Sequence, residues 1–278
     1  MKKLLTLLMA VLMVMSLAAC SKKEEEVTPE PEAPETEVFD PLFKDEGVMT
    51  YQEYAAAAIG DPVVIEAFVQ GAQSYYNGAK LYLADPDGAY FVYCDGKGED
   101  INLSMDDYAK LVPNTDFSEG WMGKGTGVKV MVTGIKSEWS GEVEITESTV
   151  VILDSETWNA EPIDVTKYLG TPDLEKYMNC YVLFTGLTLE PSLDAEGNEV
   201  AYLYNWDGSG ERGSDLYFNV SYEGNTYTFT VESYLCYPDS EPYDALENLV
   251  AIGDTVEVAG FLYWYNGANP HVMEISVQ

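Results

Sequence analysis

The segment Gly127 to Gly141, GVKVMVTGIKSEWSG, recurs without a gap as Gly253 to Gly267, GDTVEVAGFLYWYNG. Gly127, Val130, Val132, Gly134 and Gly141 match Gly253, Val256, Val258, Gly260 and Gly267 in place, and Trp139 pairs with Tyr265 as an aromatic. In both copies valines alternate with polar residues up to a central glycine, the period of a half-buried strand, and an aromatic-x-Gly turn then starts another strand. A helix of period 3.6 is incompatible with this pattern, so the repeat implies a duplicated β domain. A chain of 278 residues has room for two such domains and appendages.

The start of the chain reads differently. Met1 to Ala19 carries Lys2 and Lys3, an apolar run from Leu4 to Leu17 and then small residues, the pattern of a secretory signal too short to span a membrane. Leu17-Ala18-Ala19-Cys20 resembles the lipobox of bacterial lipoproteins. That resemblance implies cleavage before Cys20, lipidation of Cys20 and anchoring to the extracytoplasmic face of a membrane. The alternative is an ordinary cleaved signal with an incidental cysteine. Residues 20–46 are rich in Glu and Pro and lack the apolar surface needed to fold, so they read as a flexible acidic tether.

Two β domains are expected to follow, over residues 47–155 and 156–278. Thr50 to Glu53 fits a capping box that opens a short helix. Strands are expected at Pro62–Val69, Leu81–Leu83, Ala89–Cys94, Val128–Lys136 and Val143–Leu153, with a helix capped by Ser104 over Met105–Val112. The order, three strands, a helix and a two-stranded hairpin, resembles the OB-fold, a five-stranded Greek-key barrel. Pro62–Val69, Leu81–Tyr93 and Gly127–Ile145 look like the OB modules of exported bacterial lipoproteins and of some extracellular nucleases. In the second copy strands are expected at Cys180–Leu189, Val200–Trp206 with Leu216–Tyr222, Tyr227–Leu235, Val256–Tyr263 and His271–Val277, and a helix at Tyr243–Val250. Residues 190–226 read as an insertion of uncertain strand count, and 154–171 as a polar connection.

Charge and chemistry narrow the function. The net charge is −34, and Arg212, the only arginine, is followed by no Lys or Arg. Such a chain lacks the basic cluster that displaces counterions from phosphate, so nucleic acid is expected to be an unlikely partner. Cys94, Cys180 and Cys236 sit in apolar runs as small hydrophobes, a Cys180–Cys236 bridge being the alternative. No catalytic motif, no CxxC and a single histidine, His271, leave no catalytic residue, metal site or cofactor to nominate. Asp194–Glu199 has the oxygen density of a calcium loop without its spacing and reads more simply as a turn.

Aromatic residues are the remaining signal. The resemblance implies ligand binding along strands 2 and 3 and the loops joining strands 1 to 2 and 4 to 5. Tyr75, Tyr76, Tyr82, Tyr90, Trp139, Trp264 and Tyr265 fall in those places and are the candidate ligand-binding residues. The expected function is a membrane-anchored, non-enzymatic binder of a protein or neutral glycan. The alternatives are a single-stranded nucleic-acid binder, a structural spacer or assembly subunit, and a degraded or incomplete enzyme.

Overall fold

The computed structural model describes residues 39–75, 78–94, 103–112 and 122–278, and Phe39–Gln278 forms one compact unit. Cys20, the signal segment and most of the tether lie outside the described residues. So do Tyr76 and the side chain of Tyr75.

Ten strands build two barrels. The first contains β1 (Pro62–Tyr75), β2 (Gly78–Asp85), β3 (Gly88–Tyr93), β4 (Lys129–Trp139) and β5 (Glu142–Ile152). Antiparallel pairs β1–β2, β2–β3, β4–β5 and β1–β4 combine with a parallel β3–β5 contact and close the sheet on itself. The second barrel contains β6 (Tyr181–Glu190), β7 (Leu216–Tyr222), β8 (Asn225–Val231), β9 (Thr255–Trp264) and β10 (Ala268–Val277). It closes in the same way, with β8–β10 as the parallel contact. This is the OB topology twice over, and closure removes the exposed sheet edges that would invite aggregation.

The sequence repeat occupies β4 and β9 and the turns that follow them. Its central glycines have a packing reason: a Cβ on Gly134 would lie 2.7 Å from the Thr146 carbonyl oxygen, and one on Gly260 would lie 2.2 Å from that of His271. Each glycine sits at a register shift, so the hairpin can bend tightly across the barrel.

Helices plug the barrels. Thr50 and Glu53 cap α1 (Tyr51–Ala56) reciprocally, and Ser104 and Asp107 do the same for α2 (Met105–Leu111). Both capping boxes satisfy first-turn amides that would otherwise be orphaned. Leu111 and Val112 enter the first core. Where one helix was expected over 243–250, a short α3 (Glu241–Asp244) runs into a π-type turn at Ala245–Leu249. The polar connection is also more ordered than expected, since Ile163–Asp164 pairs parallel to β6 and two 3-10 turns follow at Thr166–Tyr168 and Pro172–Tyr177.

No disulfide joins the three described cysteines, so the Cys180–Cys236 bridge does not form. Cys236 Sγ instead lies 3.4 Å from the Val272 carbonyl oxygen inside the second core. Burial pushes the thiols of Cys180 and Cys236 up, to about 11 for Cys180.

The barrels share a core. Tyr82 and Phe91, on the outward face of β2 and β3, belong to the second barrel's apolar cluster, whereas their neighbours Leu81, Leu83, Tyr90 and Val92 fill the first. Period-2 alternation thus points one set of residues into each core. Phe261 of β9 stacks on Tyr82 and reaches Gly71, where an added Cβ would lie 2.6 Å from its ring.

Candidate ligand groove on the second barrel

The ligand face of an OB barrel is the outer surface of its second and third strands, flanked by the loops that join strands 1 to 2 and 4 to 5. In the first barrel this face is occupied. Tyr82 Oη lies 2.7 Å from His271 Nδ1, and Phe91 meets Tyr263 edge-on with ring centroids 5.4 Å apart. Tyr82 is fully buried there, and Tyr90 is fully buried inside the first barrel, its hydroxyl donating to Asp85 at 3.1 Å. Neither side chain can meet a ligand. The expectation that they do is corrected for Tyr82 by the docking of the second barrel onto that face, and for Tyr90 by its inward position in the core of the first barrel.

In the second barrel the same face is open. A groove of about 880 Å³ runs over Tyr217, Asn219 and Thr228 of β7 and β8. One wall is the insertion between β6 and β7, through Leu193, Leu203 and Trp206; the other is the β9–β10 turn, through Tyr265, Ala268 and Asn269. Trp206 is 75% and Tyr265 is 55% exposed. No side chain lining the groove carries a formal charge. Its polar groups are amides and hydroxyls: Thr228 Oγ1 donates to Asn219 Oδ1 at 2.8 Å, Asn219 Nδ2 donates to Ser192 Oγ at 3.1 Å, and Thr230 Oγ1 donates to Asn269 Oδ1 at 2.9 Å.

The insertion owes its shape to local chemistry. Ser192–Leu193 pairs with Glu199–Val200 in a small hairpin separate from the barrel, and only Leu203–Tyr204 joins β7. Asp194 Oδ1 accepts the amides of Glu196 and Asn198 at 3.0 and 2.7 Å, so this acidic stretch is the turn of that hairpin. Arg212 then clips the loop down. It forks onto Glu247 at 3.0 Å from both Nε and Nη2, and its Nη2 also donates to Asp239 at 2.7 Å. The single arginine is therefore committed to holding the Trp206 loop against the helical turn after α3.

The candidate aromatics separate into distinct roles. Tyr265 lines the groove. Trp139, 61% exposed, is on the turn of the first barrel, which is joined to the Tyr265 turn where the Asn266 amide donates to the Ser140 carbonyl at 2.7 Å. Trp264 is half-buried: it lies over Gly141, whose added Cβ would be 2.8 Å from its Cδ1, and its amide donates to Glu142 Oε2 at 2.8 Å. Trp264 is thus part of the contact between barrels and does not line the groove. Trp206, Asn219 and Asn269 were not among the expected site residues. For Trp206 the sequence signal was an unpaired tryptophan in the Gly- and Asp-rich run NWDGSGERG, where strand packing offers a tryptophan little use.

Acidic groups gather between the barrels instead of in the groove. Burial raises Glu142 to about 8, and it raises Glu144 and Glu232 each to about 7. Burial also holds His271 neutral, lowered to about 3, with its Nε2 3.7 Å from Glu232 Oε2. Among the described residues no group of three or more His, Cys, Asp or Glu could hold a metal ion.

No protein-family model matches the sequence, and no curated protein matches it. Similar solved structures include a murine DNA-binding protein bound with double-stranded DNA, at 13% identity and TM-score 0.28, covering 78% of this chain and 97% of that one. A p204 HINb domain matches at 9% identity and TM-score 0.30, covering 79% and 98%. A replication protein A heterotrimer bound to single-stranded DNA matches at 11% identity and TM-score 0.26, covering 82% and 52%. At these identities the likeness is one of fold. Two of these structures hold DNA, against the expectation that nucleic acid is an unlikely partner, and at these TM-scores the likeness says nothing further about what this chain binds.

Proposed function

We propose that this protein is a non-enzymatic binding module that takes a neutral glycan in the groove of the second barrel. One observation carries the reading: on a chain of net charge −34, the open OB face is lined without a single charged side chain and is flanked by two exposed aromatic rings. Flat rings suit the C–H faces of sugars, and the amides of Asn219 and Asn269 suit hydroxyls, since each amide both donates and accepts. Carboxylates dominate the rest of the chain, so their absence from this face favours an uncharged ligand.

Single-stranded nucleic acid is the second reading. Trp206 and Tyr265 could stack on unpaired bases as readily as on sugar rings, and single-stranded DNA is the ligand in the replication protein A structure. Titration of the full chain with neutral oligosaccharides and with oligothymidylate, at low and moderate salt, separates the two. A saturable sugar response that is insensitive to salt and lost in Trp206→Ala supports the glycan reading. Oligonucleotide binding that weakens steeply with salt establishes the second.

We further propose that Cys20 carries the lipid and that the acidic residues between it and Phe39 hold the barrels off the outer face of the membrane; residues 39–46, expected in the tether, instead pack on the first barrel, where Phe39 meets Phe68 edge-on and Lys44 pairs with Asp85. The lipobox supports this reading. Cys20→Ser should move the protein from the membrane fraction to the soluble one; retention in the membrane would refute lipid anchoring. A spacer or assembly role becomes the better account if neither ligand class binds.

A further inference from the structure

We propose that the two repeat turns, Trp139–Gly141 and Trp264–Gly267, form one continuous binding edge, so that the ligand is a neutral glycan chain several rings long. This deepens the groove reading above and rests on it. The turns are joined by three contacts: the Asn266 amide donates to the Ser140 carbonyl at 2.7 Å, the Trp264 amide donates to Glu142 Oε2 at 2.8 Å, and Trp264 covers Gly141.

Gly141 is suited to this junction, with φ +93° and no side chain to hold Trp264 away. Asn179 Nδ2 adds a bond from the second barrel to the Val143 carbonyl at 3.3 Å, and Val143 is the second residue of β5, the strand leaving the first turn. The two turns are therefore fixed to one another.

Trp139 and Tyr265 flank the Ser140–Asn266 bond and occupy equivalent positions in the repeat. Both are more than half exposed, and Trp139 belongs to neither apolar core among the described residues. A tryptophan displayed in this way contributes little to folding, and an exposed aromatic beside a groove extends that groove's contact surface. Tyr265 already lines the groove, so Trp139 adds a ring platform on the first barrel, beyond the groove's end. The first barrel has lost its own ligand face to docking, and on this account its turn contributes to the partner barrel's site.

The test is a length series. The full chain, Trp139→Ala and Trp206→Ala are titrated with unmodified gluco-, manno-, xylo- and N-acetylglucosamine oligomers of two to eight rings. The wild type is expected to bind the longest oligomers at least about tenfold more tightly than the shortest, the scale of one well-placed aromatic contact. Trp139→Ala should lose that gain and leave two-ring binding unchanged, whereas Trp206→Ala should weaken every length. If Trp139→Ala binds long oligomers as the wild type does while Trp206→Ala is impaired, the continuous edge is wrong and the groove reading survives. If the wild type binds no neutral oligomer, or only oligothymidylate, both fall. An unchanged thermal midpoint for Trp139→Ala excludes unfolding as the cause of any loss.

Discussion

Tyr82 of the first barrel lies flat against Phe261 of the second, with ring centroids 4.2 Å apart and planes 9° from parallel. The same tyrosine bonds His271, so one side chain seals the face through which an OB barrel ordinarily meets its ligand. Duplication here yields one docking face and one open face.

Phe261 is 1% exposed and touches Tyr82, Tyr181 and the backbone at Gly71. Phe261→Ala should therefore destabilise the protein by about 3–5 kcal/mol, the cost of emptying an aromatic site in a core. Chemical denaturation monitored by fluorescence checks this. A loss comparable to that of a surface substitution would show that the barrels do not depend on this contact.

Trp206 makes the opposite prediction. Three-quarters exposed, it should tolerate Trp206→Ala with a stability change within about 0.5 kcal/mol while ligand affinity falls at least about tenfold. Thermal melting and calorimetric titration of the same preparation separate the two effects.

Arg212 positions the loop that carries Trp206. Arg212→Ala should weaken ligand binding several-fold without abolishing the fold, and Arg212→Lys should restore it only partly, because an ammonium cannot reproduce the two-pronged contact with Glu247. Parallel titrations of both variants check the order.

The buried acids fix the pH dependence. Unfolded, Glu142, Glu144 and Glu232 ionise near 4.5; folded, burial raises Glu142 to about 8 and the other two to about 7. The folded protein therefore binds more protons than the unfolded chain between these limits, and stability falls as pH rises through them. His271 acts at the other end: lowered from 6.5 to about 3, it withdraws stability as pH falls below 6.5. Three carboxylates outweigh one imidazole, and Lys80 is the cation that faces Glu144, Glu232 and His271. The thermal midpoint should be higher at about pH 5.5 than at about pH 8.5, and Glu142→Gln should flatten the alkaline decline. A midpoint that rises toward alkaline pH would contradict this assignment.

Much of this architecture is legible in the residues. The repeat marks β4 and β9, and the alternation of Leu81, Tyr82 and Leu83 marks β2 as a strand with two buried faces. Alternation cannot tell a face covered by another barrel from one covered by ligand. Tyr82 therefore read as a ligand contact, and so did Trp264, whose cover is Gly141 of the other copy. The groove was harder to find because its walls come from the insertion at 190–214, where short pairings and side-chain turns replace any period. Arg212 illustrates the same point: the sequence shows a lone cation, and only folding brings Glu247 and Asp239 to it.

The most direct test is hydroxyl-radical footprinting of the full chain, with oxidation read residue by residue. The account predicts rapid labelling of Trp206, Tyr265 and Trp139, with Tyr82, Phe91 and Phe261 protected, and loss of labelling at Trp206 and Tyr265 when a binding oligosaccharide is added. Labelling of Tyr82 and Phe91 at the rate of Trp206, or ligand protection confined to the first barrel, would contradict it.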